Sequence, residues 1–505
     1  MTGITPQMPI SKQKFLDSVR GEGLVPVLYA EMPYSRPGLL YPEFSGPGSF
    51  LFESVKGPAK IASYSFIGFD PYIIFTAKDG FVELKSGGKR SLSARNPLRR
   101  LKGLLDAYKQ KPSPELPPFQ GGAAGLLCYD FVRYFEDIPA ASADTLKIPD
   151  AHFFLIDRLI AFDHIREKSW AVVCPGLRDM GLGYEDPSNI DWNEKYREAE
   201  DVLNEILRRA AVPGNALPTW NTESRGGIEV IHEMSGERYK DMVKRAKEYI
   251  AAGDIFQANL SLRVSAYIGD TKPWSLYSTL SAINPSPFAC FMDFGDYSIV
   301  SSSPERLLMV RDKTVETRPI AGTRPRGRDE TEDEAMRSEL LLNEKERAEH
   351  IMLIDLERND IGRVSDYGSV VVDELMITED YSHVIHIVSN IRGRLAPGNG
   401  PFDCIRAVFP GGTITGVPKV RCMEIIDELE PVRRGPYTGS AGYIGFSGSA
   451  DFNIIIRTFI IKDRTAYVQA GAGIVADSDP EREYSEAIKK AEALINTLKK
   501  HKING

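Results

Sequence analysis

The stretch QAGAGIVADSDPEREYSEAIKKA, Gln469 to Ala491, decides how this chain is read. Its opening belongs to a strand-like run, TAYVQAGAGIV, and its close to a helical one, DPEREYSEAIKKAEALINTLKK. On that helix Glu483, Glu486 and Lys490 are spaced to share one face. Just before it, Gly471 and Gly473 permit close backbone approach to a ligand, and a helix N-terminus favours a nearby anion. Taken alone, the same spacing also describes a solvated helix face after a glycine turn.

Working outward, strand-like runs recur at SVVVDELMI, AGYIGFSG and FNIIIRTFIIKD. A long helical pattern spans about Glu332 to Leu356. Another opens at SGERYKDMVKRAKEYIAAGD, where Ser235 can cap and Tyr239, Met242, Val243, Ala246 and Ile250 recur at helical spacing. Residues 10–207 form a first region of short β-like runs closed by the helical WNEKYREAEDVLNEILRRA. Residues 208–234, rich in Pro, Gly, Asn and Ser, read as a linker, and 235–498 as a second region. Strands and helices do not alternate regularly and no internal repeat is evident, so the expected class is α+β.

Composition narrows function by exclusion. With 505 residues, 42% hydrophobic and 26% charged, the chain is globular and exceeds one ordinary core. A net charge of −8 argues against a nucleic-acid binder. The five cysteines form no CxxC pair, which fits a reducing compartment. No signal-peptide core or membrane-length apolar run occurs, so a cytoplasmic protein with no membrane partner is expected.

Four further constellations carry chemistry. Glu346 and Glu349 lie on one helical face, and carboxylates from two helices can hold Mg²⁺ with water and substrate oxygen. FPGGTITGVPK, Phe409 to Lys419, lacks phosphate-loop spacing but can lend hydroxyls and amides to an anion. SHVIHIV holds His383 and His386, whose i, i+3 spacing can suit a metal, although a pair without a third ligand is more often structural or a single catalytic imidazole. VETRPIAGTRPRGRDE, Val315 to Glu330, crowds four arginines around a Gly-Thr pair.

Together these features, with PIAGTRPRGR, AEHIMLIDLERNDIGRV, YSHVIHIVS, GSAGYIGFSG and IIIRTF in that order, resemble the chorismate-utilising enzymes. The resemblance runs from about Ser235 to Leu498, and SFLFESVKG…ASYSFIGFDP also looks like the N-terminal region of the amino-group-transferring members. It implies two large packed β-sheets flanked by helices, with the active site between them. It assigns Glu349 and Glu486 as Mg²⁺ ligands supported by Glu346 and Glu483. Tyr443, Arg457, Lys490 and the Gly473 amide become a clamp for the enolpyruvyl carboxylate, and Gly322, Thr323 and Thr413 line the ring. Glu305 becomes the general acid for the departing C4 hydroxyl, among a catalytic set that includes Thr323, His386, Gln257 and Asn259. The arginines after Thr323 are expected to be mostly surface charge.

Gln257 stands where water-adding members carry a lysine base, so ammonia is the expected nucleophile. Two members use it. Ala321 resembles anthranilate synthase component I, since many aminodeoxychorismate synthases carry a nucleophilic lysine there. Asn259, Arg306, Ala289 and the Asn453 segment resemble aminodeoxychorismate synthase component I, and the balance of segments favours that form. With no Cys-His arrangement of the glutaminase type, a separate glutamine amidotransferase subunit is expected to supply the ammonia.

Overall fold

The computed structural model describes residues 10–58, 60–94, 96–180, 190–211, 229–381 and 384–500. Most of the expected linker, 212–228, lies outside these, as does His383. Two twelve-stranded sheets, antiparallel throughout, form the centre of the molecule. Helices flank them, among them Trp192–Ala210, Gly236–Ala251, Glu344–Gly362 and Pro480–Lys500. The class is α+β, as expected.

Both sequence regions contribute to both sheets. In the first sheet Ser440–Gly445 pairs with Gly122–Leu127, and in the second Phe288–Asp293 pairs with Ser49–Glu53. Buried side chains from the two regions merge into one core. Outward from those junctions each half repeats one path. Counting ten principal strands per half, Leu28–Met32 to Lys168–Val173 and Gln257–Tyr267 to Thr465–Ile474, the first sheet takes the seventh, eighth, fourth, fifth and sixth of each. The second sheet takes the second, third, ninth, tenth and first. The repeat is therefore present in the topology although none is evident in the residues: equivalent strands need equivalent patterning, not equivalent side chains.

Two local expectations are corrected. The helical pattern at Glu332 to Leu356 is two helices, Glu330–Leu342 and Glu344–Gly362, because Asn343 leaves helical geometry and its side chain accepts from the Glu346 amide. FNIIIRTFIIKD is not one strand. Ala450–Asn453 lies in the first sheet and Thr458–Lys462 in the second, and Arg457 adopts φ 51° on the crossing between them. Ser235 does cap Gly236–Ala251, accepting from the Arg238 amide at 3.3 Å.

Candidate functional site

Two crossings between the sheets lie side by side and supply opposite charges. Glu305 sits between Tyr297–Ser303 of the second sheet and Arg306–Arg311 of the first. Its carbonyl accepts from the Ile454 amide, at the head of the crossing that carries Arg457, at 3.0 Å. The Glu305 carboxylate Oε1 accepts weakly from the Ile320 amide at 3.4 Å. Burial raises this carboxyl to about 7, against the opposing pull of the Thr413 hydroxyl, the Ile320 amide, Arg457 and Lys490. Arg457 is partly buried, and burial depresses its pKa. Among the described residues no carboxylate lies within ion-pair distance of it. A buried guanidinium without a counter-ion is an anion receptor.

The strand Ile320–Pro325 brings Gly322 and Thr323 against His386, with Thr323 opposite His386 in register. Gly322 interrupts that register at φ 68°, and a Cβ there would stand 2.5 Å from the Glu346 carboxylate. Only glycine fits. His386 Nδ1 lies 2.9 Å from the Thr323 hydroxyl and 3.3 Å from the Gly322 carbonyl. A carbonyl only accepts, so Nδ1 carries the proton and Nε2 is left as an acceptor. Burial, aided by Arg457, lowers this imidazole to about 3, so it works as a neutral ring.

The third wall is the pairing of Gln257–Tyr267 with Thr465–Ile474. Gln257 and Asn259 alternate onto one face of the first strand. A Cβ at Gly473 would come within 2.5 Å of the Gln257 amide nitrogen, and one at Gly471 within 2.9 Å of Asn259 Oδ1. The glycines thus make room for two amides. Gln257 donates to Glu349, whose carboxyl is raised by burial and by its neighbours Glu346 and Glu486. Glu483 is also raised, by burial first and then by Glu486. Lys490 pairs with Glu486 at 2.8 Å and donates to the Gly471 carbonyl at 3.1 Å. Three buried polar atoms of this constellation have no hydrogen-bond partner: Gln257 Oε1, Asn259 Oδ1 and His386 Nε2. Buried polar atoms are rarely left so, and several converging on one space mark a site shaped for a polar ligand.

Not every candidate belongs to this site. Tyr443 points from its strand into a separate cavity at the junction of the halves, with Glu53, Lys60, Arg306 and Asp451, and stacks on Phe119. It is not beside Arg457. The motif arginines are taken by carboxylates: Arg318 by Glu374 and Glu379, Arg324 by Glu339 and Glu346, Arg326 by Asp333 and Arg328 by Glu332. Arg318, which precedes Thr323, is buried; of the three arginines after Thr323, Arg328 is exposed and Arg324 and Arg326 are partly buried. Two residues were passed over. Tyr381 meets the His386 ring edge-on at 5.4 Å and donates to Glu379. Glu357, buried on the helix Glu344–Gly362, donates no charge to any salt bridge among the described residues. Its signal in the sequence is a glutamate on the apolar stripe with His350, Leu353 and Ile361.

Comparison with known proteins gives the same reading. The chorismate binding enzyme family matches residues 49–496. Anthranilate synthase component 1 of Acetivibrio thermocellus is 43% identical over 94% of this chain and 95% of its own length. Aminodeoxychorismate synthase component 1 of Bacillus subtilis is 43% identical over 89% of this chain and 91% of its own. The crystal structure of anthranilate synthase component I from Streptococcus pneumoniae superimposes with a TM-score of 0.74 at 36% identity, covering 86% of this chain and 92% of that one. The isochorismate synthase MenF of Escherichia coli shares the fold, with a TM-score of 0.68 at 18% identity over 94% of each chain. No helix among the described residues is long and apolar enough to cross a membrane. The chain belongs to the chorismate-binding enzyme family and is an enzyme acting on chorismate.

Proposed function

We propose that this enzyme is an aminodeoxychorismate synthase component I, replacing the C4 hydroxyl of chorismate with nitrogen from ammonia. The chemistry follows from the site. Arg457 and Lys490 hold the enolpyruvyl carboxylate, Thr323 and Thr413 border the ring, and the neutral His386 accepts a substrate hydroxyl at Nε2. Glu305, protonated near neutrality, gives its proton to the departing oxygen. Glu349 and Glu486 are hard oxygen donors whose mutual repulsion a divalent cation relieves, so they suit Mg²⁺. Among the described residues no three acidic, His or Cys side chains could hold a metal by themselves, leaving the remaining positions to substrate and water. When bound, the ion neutralises the ring carboxylate.

For the choice of member the carrying observation is Arg306, a residue of the aminodeoxychorismate form. It lines the junction cavity, bound to Asp451 by two 3.0 Å contacts and lying 4.9 Å over Phe288. Ala321 cannot attack the ring, so the route is direct and non-covalent. Ala321 also favours a second reading, anthranilate synthase component I, as does the relative matched over 94% of the chain. All five cysteines are buried with raised pKa values, burial being the first cause in each. No thiolate is activated to release nitrogen from glutamine, so a separate amidotransferase subunit supplies ammonia. Incubation with chorismate, ammonium and Mg²⁺ decides. The expected product keeps its enolpyruvyl group and the quenched enzyme keeps its unmodified mass. Pyruvate released with a fluorescent aromatic amine establishes the second reading.

A further inference from the structure

The edge of the strand that carries Gln257 and Asn259 is completed by an ion pair where a neighbouring strand would lie. Pairing of Gln257–Tyr267 with Gly416–Val417 ends at Ala258, and the Asn259 amide adds one bond to the Thr415 carbonyl at 2.9 Å. Thr415 then turns away, its own amide donating to the Gly412 carbonyl. From there Arg434 and Glu430 take the place of a strand. Arg434 Nη2 donates to the Asn259 carbonyl at 2.6 Å, and Glu430 Oε1 accepts from the Ser261 amide and hydroxyl at 2.9 and 2.8 Å. The pair itself is bidentate, Nε to Oε2 at 3.0 Å and Nη2 to Oε1 at 2.7 Å, and both side chains are buried. The remaining nitrogen, Nη1, donates to the Ile414 carbonyl at 2.9 Å and to the Thr438 hydroxyl at 3.3 Å, so every N–H of the guanidinium is used.

We propose that Arg434 is a positioning residue for the chorismate pocket: by bridging the Asn259 and Ile414 carbonyls, its guanidinium sets the spacing between the strand Gln257–Tyr267 and the loop that carries Thr413. This rests on the reading of Asn259 and Thr413 as pocket residues. The bridged carbonyls belong to Asn259 itself and to the chain neighbour of Thr413, so a shift at either moves a wall of the pocket. Direct contact between the two walls is weak, Asn259 Nδ2 reaching the Thr413 carbonyl at 3.5 Å. A planar fork with donors on both outer nitrogens can span two chain segments, whereas an ammonium is one point charge and cannot hold the same angles. Arg434 is held in turn from the N-terminal half. Its guanidinium lies 4.8 Å over the Tyr129 ring. The Gly435 carbonyl accepts from the Tyr129 amide at 2.7 Å, and the Gly435 amide donates to the Asp130 carboxylate at 2.9 Å. The N-terminal half thus reaches the pocket through this one residue's anchoring.

The test follows chorismate consumption at saturating ammonium and Mg²⁺ for the parent, Arg434→Lys, Thr413→Val, Asn259→Ala and the Arg434→Lys/Thr413→Val double variant, with urea denaturation of each. Arg434→Lys keeps a cation opposite Glu430 and loses the bridge. Its kcat/KM for chorismate should fall on the order of 10²-fold, the loss that a misplacement of about 1 Å produces. Thr413→Val should cost about fivefold in the parent, as loss of one hydrogen bond does, and much less in Arg434→Lys, where its wall is already displaced. A merely structural role would lower the urea midpoint and leave both the kcat/KM of the folded enzyme and the cost of Thr413→Val as in the parent. That result, or additive losses in the double variant, overturns the inference. If Arg434→Lys does not fold, Tyr129→Leu, which removes the ring beneath the guanidinium, should show a smaller loss with the same non-additivity toward Thr413→Val. Parent-like kcat/KM or additivity there overturns the inference. If Thr413→Val and Asn259→Ala each keep the parent's kcat/KM, the pocket reading fails instead, and this role with it.

Discussion

The two halves of the chain cross between the sheets at equivalent points and treat those points in opposite ways. In the N-terminal half the crossings carry Asp70 and Asp157. Arg178 reaches both, at 3.0 and 2.8 Å, and Arg158 pairs with Asp157 at 3.1 Å. In the C-terminal half the crossings carry Glu305 and Arg457, and neither is neutralised by an ion pair among the described residues. A second contrast lies between the fifth and sixth strands. The N-terminal half joins Phe81–Ser86 to Lys89–Ala94 by Gly87 and Gly88. At the same place the C-terminal half inserts the chain from Pro319 to Tyr381, which brings Thr323, Glu346, Glu349, Glu357 and Tyr381 to the site. One path is thus a satisfied structural joint in one half and an unsatisfied binding site in the other. Unpaired charge is tolerated where function needs it and removed where it does not.

Exchanging roles at single positions should break this contrast. The largest effect belongs to Glu486→Gln, which should abolish chorismate turnover while circular dichroism stays native. A hard divalent cation requires charged oxygen donors, and an amide weakens both affinity and field. Turnover and Mg²⁺ dependence equal to the parent's would refute the ligand assignment. Next comes Glu305→Gln. Loss of general acid catalysis costs on the order of 10²–10⁴-fold, and it should appear in kcat more than in chorismate affinity. A rise in KM with kcat untouched would make Glu305 a binding residue.

The N-terminal crossing should respond the other way. Burial opposes charge on Asp157, yet Arg178 and Arg158 hold its carboxyl below the ordinary range. Asp157→Asn leaves two guanidiniums facing a neutral group. Breaking a buried pair costs about 3–5 kcal/mol, and because Arg178 is 38% exposed we expect roughly 2–3. Equilibrium denaturation should show that loss with kcat unchanged. A fall in kcat in folded Asp157→Asn would mean that the N-terminal joint takes part in the reaction.

How much of this could be read beforehand follows from what sequence encodes. Helix ends were legible where a cap is local: Trp192–Ala210 and the Ser235 cap depend on neighbours within one turn. Breaks caused by tertiary pairing were not. The run FNIIIRTFIIKD has uniform strand character, and only the partners of its two ends place them in different sheets. Glu349 and Glu486 were named from motif resemblance, since 136 intervening residues leave no local trace of their approach. Tyr443 failed for a related reason. Its strand alternates sides, and only the packed sheet shows that its side faces Phe119 rather than Arg457. The duplicated path was invisible because strand order is a long-range property.

The smallest effect sharpens the contrast most, because it reverses the sign expected of a mutation at an active site. Glu305 has a carboxyl raised from 4.5 to about 7. Between those values the unfolded chain has released a proton that the native state still holds. The native state therefore binds more protons, and its stability falls as pH rises through that window. The stability this group contributes is fully present below about 4.5 and lost above about 7. At one pKa unit per 1.36 kcal/mol, the whole shift corresponds to ~3 kcal/mol. Glu305→Gln removes the ionisable group, so it should be more stable than the parent by about 1–3 kcal/mol at pH 8 and no different at pH 4.5. Asp157→Asn behaves inversely. Its parent carboxyl is depressed, so the stabilisation is present above about 3.8 and lost only as pH falls through the lower native value. Urea denaturation of both variants at pH 4.5 and pH 8 reads the two signs directly. If Glu305→Gln gains nothing at pH 8, the C-terminal crossing stores no electrostatic cost, and the difference between the halves is one of shape alone.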